Sequence, residues 1–119
     1  MYTDEASQIE RLQFSFSEIR NADWNPDSDL LWGYFLLDTD VEKLEGLGQH
    51  LESLGYRFVD IFELEEEEGE EPSGEYMLHV EKVETHSPAT LAKRNVELAR
   101  LASESGVRAY DGWDVGKVE

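Results

Sequence analysis

The first part of the chain has a hydrophobic pattern that fits two kinds of secondary structure. Alternation of Leu12, Phe14 and Phe16 is typical of a strand. Spacing of three to four residues, typical of a helix, joins four apolar positions: Ile9, Leu12, Phe16 and Ile19. Because the second pattern extends over three turns, we predict a helix over 5–21, followed by a linker rich in turn-forming residues that ends at residue 29.

Beyond the linker, a short apolar segment precedes a longer amphipathic one. Residues 30–37 are apolar almost throughout, as expected of a strand covered on both faces. Each residue of 38–40 can cap the next segment, and Thr39 with Glu42 fits a capping box. Gly55 can end the segment in the left-handed conformation. The predicted helix has a buried stripe of Val41, Leu44, Leu47, Leu51 and Leu54.

The rest of the chain predicts three more strands and one more helix. Residues 56–64 form a strand with Tyr56, Phe58, Phe62 and Leu64 on one face, and Asp60 in that strand suggests an edge position. Residues 76–81 alternate as a third strand. A helix then begins at Ser87-Pro88 and ends near Gly106, and a fourth extended segment over 107–118 is bent at Asp111-Gly112.

The order of these elements is a helix and then β-α-β-β-α-β. Two right-handed crossovers predict a ferredoxin-like α+β sandwich, in which a four-stranded antiparallel sheet has two helices on one face, with an additional N-terminal helix. The first and third strands are central in that topology. We expect a single domain over 1–119, with the N-terminal helix and linker over 1–29, the ferredoxin-like core over 30–118 and an acidic hairpin loop over 65–75.

Composition excludes several classes of protein. Without cysteine the chain can form neither a disulfide scaffold nor a thiolate metal site. The longest nearly apolar run, residues 30–37, is far shorter than the about 20 residues that span a bilayer. The first residues lack the basic and apolar parts of a signal peptide. We therefore expect a cytoplasmic protein.

The charge is large, negative and unevenly distributed. The net charge is −18, of which residues 63–75 carry −8, as 8 glutamates with no base, while residues 76–119 carry only −1. Such a run repels itself and, with its glycines and proline, is typical of a solvated loop. Phosphate backbones and anionic lipids would be repelled, so we expect a basic protein as the partner and neither nucleic acid nor membrane.

Candidate catalytic groups are few. Gly46-Leu-Gly48 lies inside a helical pattern, where close packing on the sheet is the expected reason for glycine, and not in a phosphate-binding loop. The histidines, His50, His79 and His86, lack the spacing of metal ligands, and we expect them at the surface. No cofactor or metal is expected. A small hydrolase using His79 with Glu81 is the enzyme hypothesis, and no nucleophile supports it.

The most distinctive string is Tyr110-Asp-Gly-Trp113. In one interpretation it is structural, because Asp-Gly makes a tight turn or bulge around which the two aromatic side chains pack. In the other it presents two aromatic anchors to a partner. The residue types favour the structural interpretation.

The chain resembles the bacterial ribonuclease E inhibitor family, regulator of ribonuclease E activity B. The features that carry the resemblance are this string, the preceding Leu- and Ala-rich helix, Gly55-Tyr56, the strand over 56–65 and the acidic connection. The resemblance covers about residues 25–115. It implies a small, acidic, cytoplasmic α+β protein that binds the endonuclease and alters RNA turnover without cutting RNA itself.

The sequence thus predicts a non-enzymatic regulator that docks on a basic partner, a ribonuclease E-type endonuclease. The alternative is an unrelated acidic protein-binding module, either an immunity-type protein or a regulator that mimics nucleic acid. The sequence leaves the oligomeric state open. The candidate partner-binding residues are Glu65, Glu66, Glu67, Glu68, Glu70, Glu71, Tyr110, Asp111, Gly112 and Trp113.

Overall fold

The computed structural model describes residues 5–21, 25, 28–64 and 74–116. These residues form three helices and four strands in the order α1 (Glu5–Asn21), β1 (Leu30–Asp38), α2 (Val41–Ser53), β2 (Arg57–Glu63), β3 (Tyr76–Glu84), α3 (Pro88–Glu104) and β4 (Ala109–Gly116). Every strand pair is antiparallel, and the order across the sheet is β2-β3-β1-β4. The predicted α+β class, the four-stranded antiparallel sheet and the edge position of β2 are confirmed.

The hydrophobic core lies between the helices and one face of the sheet, which we name the core face. This face carries Trp32, Tyr34 and Leu36 of β1, all fully buried. The core also contains side chains of α2 and α3, among them Leu44, Leu47, Leu51, Leu91 and Leu98. The apolar side chains of α2 and of α3 recur at helical spacing and form one stripe on each helix. Burial of these stripes against the sheet stabilises both helices far more than their intrinsic helix propensity does.

The N-terminal segment is a helix, as the longer of its two patterns predicted. Phe16 lies in the core, and its ring stacks on that of Trp32 with 5.9 Å between the centroids. Phe14 is 68% exposed, which contradicts the strand-like alternation. Because α1 packs along α3, it extends the helical layer.

The second face of β1 is less covered than the apolar sequence predicted. Leu31, Phe35 and Leu37 are half-buried, whereas their neighbours on the core face are buried. No described helix packs on this side of the sheet; the helix–strand contacts of the described residues involve the core face. The expectation of a strand covered on both faces is therefore wrong for the described part of the chain.

A bulge in β2 changes the predicted faces of that strand. Phe58 pairs with Val80 and Asp60 with His79, so Val59 is an extra residue. The insertion turns Phe58 towards the core face and Phe62 towards the opposite face, where it is 38% exposed. The prediction that these two rings share a face is wrong, because one inserted residue reverses every later side chain.

The helix ends follow the expected chemistry. Asp40, one of the three predicted cap positions, is the N-cap of α2 in place of Thr39, and its carboxylate accepts hydrogen bonds from two backbone amides of the first turn. Ser87 caps α3 as predicted, and Gly55 has the left-handed φ of 99° that lets the chain leave α2. Among the described helices, none has the length and apolar composition needed to cross a membrane.

Candidate protein-binding site

One end of the sheet brings together the two features that the sequence singled out. Glu63 at the end of β2 pairs with Tyr76 at the start of β3, so the acidic connection joins the sheet at this end. Ala109 at the start of β4 pairs with Leu37 at the same end. The candidate residues Glu65, Glu66, Glu67, Glu68, Glu70 and Glu71 lie outside the described residues.

The described flank of the connection is tied to β4 by an ion pair. Arg108 donates from its guanidinium to the Glu75 carboxylate at 2.9 Å, and its backbone amide donates to the Asp38 carboxylate at 2.9 Å. The Leu64 amide donates to the Glu75 carbonyl at 3.0 Å and closes the hairpin. One arginine therefore links three strands at the end where the acidic connection begins.

Asp38 is buried at this end and retains its charge. Burial by itself would raise the pKa of its carboxyl, but hydrogen bonds from the backbone amides of Asp40 and Arg108 outweigh burial, and the pKa is lowered. The carboxylate thus orients the start of α2 and the start of β4 together.

The Tyr-Asp-Gly-Trp string forms a bulge in β4. Tyr110 pairs with Leu36 and Gly112 with Phe35, so Asp111 is the extra residue. Gly112 has a φ of 136°, which residues with a Cβ rarely adopt. In a regular strand residues 110 and 113 would lie on opposite faces, but the bulge directs both aromatic side chains towards the core face.

The aromatic side chains of the string have different exposures. The Tyr110 hydroxyl donates to the Asn95 amide oxygen of α3 at 2.6 Å, and its ring is buried. Trp113 is half-buried beside Trp32, with 5.6 Å between the ring centroids, and Asp111 is exposed. These contacts give Tyr110 a structural role, while Asp111 and part of Trp113 are accessible.

A buried polar cluster at the other end of the sheet was not predicted from the sequence. Arg94 of α3 donates two hydrogen bonds to the Glu84 carboxylate, at 2.6 and 2.9 Å, and the Tyr34 hydroxyl donates a third at 2.8 Å. His86 Nε2 lies 2.9 Å from the Tyr34 oxygen and 3.3 Å from the same carboxylate. The predicted surface position of His86 is wrong: its ring is buried against the edge of Trp32.

The cluster fixes the charge state of its carboxyl. Burial would raise the pKa of Glu84, but hydrogen bonds from His86, Arg94 and Tyr34 outweigh it and lower the pKa to about 2. Burial, followed by the neighbouring negative charge of Glu84, raises the pKa of the Tyr34 hydroxyl. Because these groups satisfy one another, the cluster holds α3 to β1 and β3. The position of Arg94, three residues from Leu91 and four from Leu98, was the sequence signal that it faces the sheet.

The groups of the enzyme hypothesis lie elsewhere, on the face opposite the helices. His79 is half-buried with its ring stacked on Phe35 at 4.6 Å, and Glu81 is ion-paired with Arg57 at 3.1 Å. Across the described ranges, no group of three or more His, Asp or Glu side chains has an arrangement that could hold a metal ion.

Comparison with known families gives a match over most of the chain. A family model described as regulator of ribonuclease activity B matches residues 10–115. The chain belongs to that family. The match begins within α1 and ends within β4, so it includes the acidic connection and the Tyr-Asp-Gly-Trp string. The resemblance drawn from the sequence is confirmed, although no individual curated protein matches the chain significantly.

Proposed function

We propose that this member of the regulator of ribonuclease activity B family is a non-enzymatic protein that binds a ribonuclease E-type endonuclease and lowers RNA turnover. The family match over residues 10–115 carries the proposal, because the family is described as regulating ribonuclease activity. The net charge of −18 supports a basic protein partner over RNA, since the chain repels phosphate.

The proposed contact surface is the acidic end of the sheet, which we define as Glu65–Glu71 with Asp111. The accessible part of Trp113, further along β4 at the level of Tyr34, extends this surface. Tyr110 and Gly112 support this surface by holding the bulge. Its carboxylates would pair with lysine and arginine side chains that otherwise hold RNA phosphates. Inhibition then follows from competition for those basic side chains.

The proposal extends to the fold class and the location. The order β2-β3-β1-β4, in which α2 joins β1 to β2 and α3 joins β3 to β4, each across one intervening strand, supports a ferredoxin-like fold in one domain over 1–119. The cytoplasm follows from the proposed partner, because that is where such an endonuclease processes RNA.

Binding to the purified endonuclease tests the proposal through salt and charge. Replacing Glu65, Glu66, Glu67 and Glu68 by glutamine should weaken binding about tenfold at low salt, given about 0.2–1 kcal/mol for each exposed charge pair. Wild-type affinity should also fall steeply towards physiological salt. The measurement is the Kd by titration calorimetry, with cleavage of a model RNA in parallel.

A matched variant shows whether binding depends on where the charges lie or only on the net charge. Replacing the exposed helical residues Glu10, Glu18, Glu52 and Glu97 by glutamine also removes four negative charges, and it should leave the Kd within about twofold of the wild-type value. Absence of binding by the wild type would refute the proposed partner. Equal weakening by both variants would refute the acidic end as the contact surface.

A further inference from the structure

The face of the sheet opposite the core face, which we name the open face, has apolar side chains that no described element covers. Its register places Phe62 beside Met77, and Leu31 beside Val83. Val83 is 50% exposed and Phe62 is 38% exposed. Leu31, Phe35 and Leu37 are half-buried on β1, the strand next to β3. A stripe of apolar surface therefore crosses the sheet from β2 to β1.

Carboxylates flank this stripe on both sides. Asp60 lies on β2 next to His79, and Asp114 lies on β4 next to Gly33, so each is on the open face near one edge of the sheet. Glu81 lies on β3 between them, where Arg57 neutralises it at 3.1 Å. Among the described residues of this face, three carboxylates accompany one guanidinium, and the excess charge is negative.

A cleft in the open face lies over Gly33, with a volume of about 210 Å³. Its lining includes Leu31, His79, Glu81 and Asp114. The Asp114 carboxylate and the His79 ring lie directly over Gly33, where a Cβ would overlap both, so the absence of a side chain at Gly33 lets these two groups line the cleft. An apolar wall beside the Asp114 carboxylate suits a long basic side chain, whose methylene stem would contact Leu31 while its charged group meets Asp114.

We infer that the open face binds a basic, partly apolar segment of the protein partner, with an arginine or lysine side chain in the cleft over Gly33. The inference rests on the proposed function and adds a second contact surface to the acidic end. Charge complementarity selects the occupant: a second copy of this chain would bring another −18 to an acidic surface, whereas a basic segment is attracted.

Methyl NMR with a synthetic peptide of repeated Arg-Leu-Gly triplets tests where a basic segment binds. The expected result is a shift of the open-face methyl signals of Leu31, Leu37, Met77 and Val83, with the core methyl signals of Leu36 and Leu78 unmoved. A Glu-Leu-Gly peptide should move neither set. Shifts confined to the methyl signals of the helical side, or no methyl shifts, would overturn the inference.

Paired variants connect this surface to the endonuclease. The variant Phe62→Ser with Asp114→Asn should weaken binding of the purified endonuclease about tenfold. The control, Phe14→Ser with Glu18→Gln, makes the same kinds of change on exposed positions of α1 and should leave the Kd unchanged. Melting temperatures of both variants show whether they are folded.

The two proposals can fail separately. If the endonuclease binds both variants as tightly as the wild type, the open-face inference is overturned and the proposed function stands. If the wild type does not bind the endonuclease but the Arg-Leu-Gly peptide shifts the open-face methyl signals, the proposed function fails and the binding surface stands.

Discussion

Glu84 is a carboxylate whose charge stabilises the fold through its contacts with α3 and β1. It accepts hydrogen bonds from Arg94 and Tyr34, and only 15% of its side chain is exposed. Its pKa is lowered from 4.5 to about 2 in the folded protein. The folded protein therefore binds this proton more weakly than the unfolded chain does. Because of this difference, the ionised carboxylate favours folding at pH values above the unfolded pKa.

The variant Glu84→Gln removes this contribution while keeping the shape of the side chain. At 1.36 kcal/mol for each pKa unit, the shift is worth about 3 kcal/mol, and solvent screening of a partly accessible group reduces it to about 2–3 kcal/mol. The variant also leaves the Arg94 guanidinium half-buried without its carboxylate. We expect it to be about 2–3 kcal/mol less stable than the wild type at pH 7.

The pH dependence gives the sharper test, because the folded pKa lies below the unfolded one. The contribution is fully present above pH 4.5 and is lost as the pH falls through about 2. Urea denaturation at pH 6 and pH 3 should therefore show the difference between wild type and Glu84→Gln shrinking by about 1–2 kcal/mol. Glu52→Gln, at an exposed position of α2, should change stability by less than about 0.5 kcal/mol. A difference for Glu84→Gln that is the same at both pH values would refute the reasoning.

Three further predictions concern glycines and the acidic connection. A Cβ at Gly48 would overlap the Phe58 ring, so Gly48→Ala should destabilise by about 1–3 kcal/mol, whereas Gly46 has no neighbour within 4 Å and Gly46→Ala should stabilise by up to about 1 kcal/mol; equal urea midpoints would contradict this. Gly112→Ala, at a φ of 136°, should cost about 1–3 kcal/mol in the same assay, and a neutral result would show that the bulge relaxes without strain. The four-glutamine variant of residues 65–68 should keep or raise the melting temperature, because like charges repel, and a fall of more than a few degrees would give these residues a structural role.

Helical periodicity predicted α1 better than it predicted the faces of the strands. A stripe such as Ile9 to Ile19 has a period that only a helix satisfies over three turns, and burial of Leu12, Phe16 and Ile19 confirms it. In β2 and β4, one extra residue decides which way each later side chain points. In β4 the Asp-Gly pair indicated a bend, but in β2 no local signal marked the insertion at Val59, which depends on the hydrogen bonds to β3.

The residues of the candidate site could be picked out from the sequence, but the contacts between them could not. Tyr110 to Trp113 was recognisable as a string, and its Asp-Gly suggested a bend. That Arg108 joins Glu75 and Asp38 depends on residues distant in the sequence meeting across the sheet, and the burial of His86 has the same origin. Close packing on the sheet was the expected reason for both glycines of α2. It holds for Gly48, where a Cβ would overlap the Phe58 ring, and not for Gly46, which has no neighbour within 4 Å.

The β2–β3 hairpin is closed by described residues on either side of residues 65–73, which carry −6 of the net charge of −18. The Leu64 amide donates to the Glu75 carbonyl, and the Glu75 carboxylate pairs with Arg108. These contacts close the hairpin at the sheet end of the connection. They help to fix the register of β2 and β3 at the points where the chain enters and leaves the connection. Because they do not involve the carboxylates of residues 65–71, we expect that the number of those carboxylates can change, in evolution or by design, to match a more or less basic partner while the same sheet is retained.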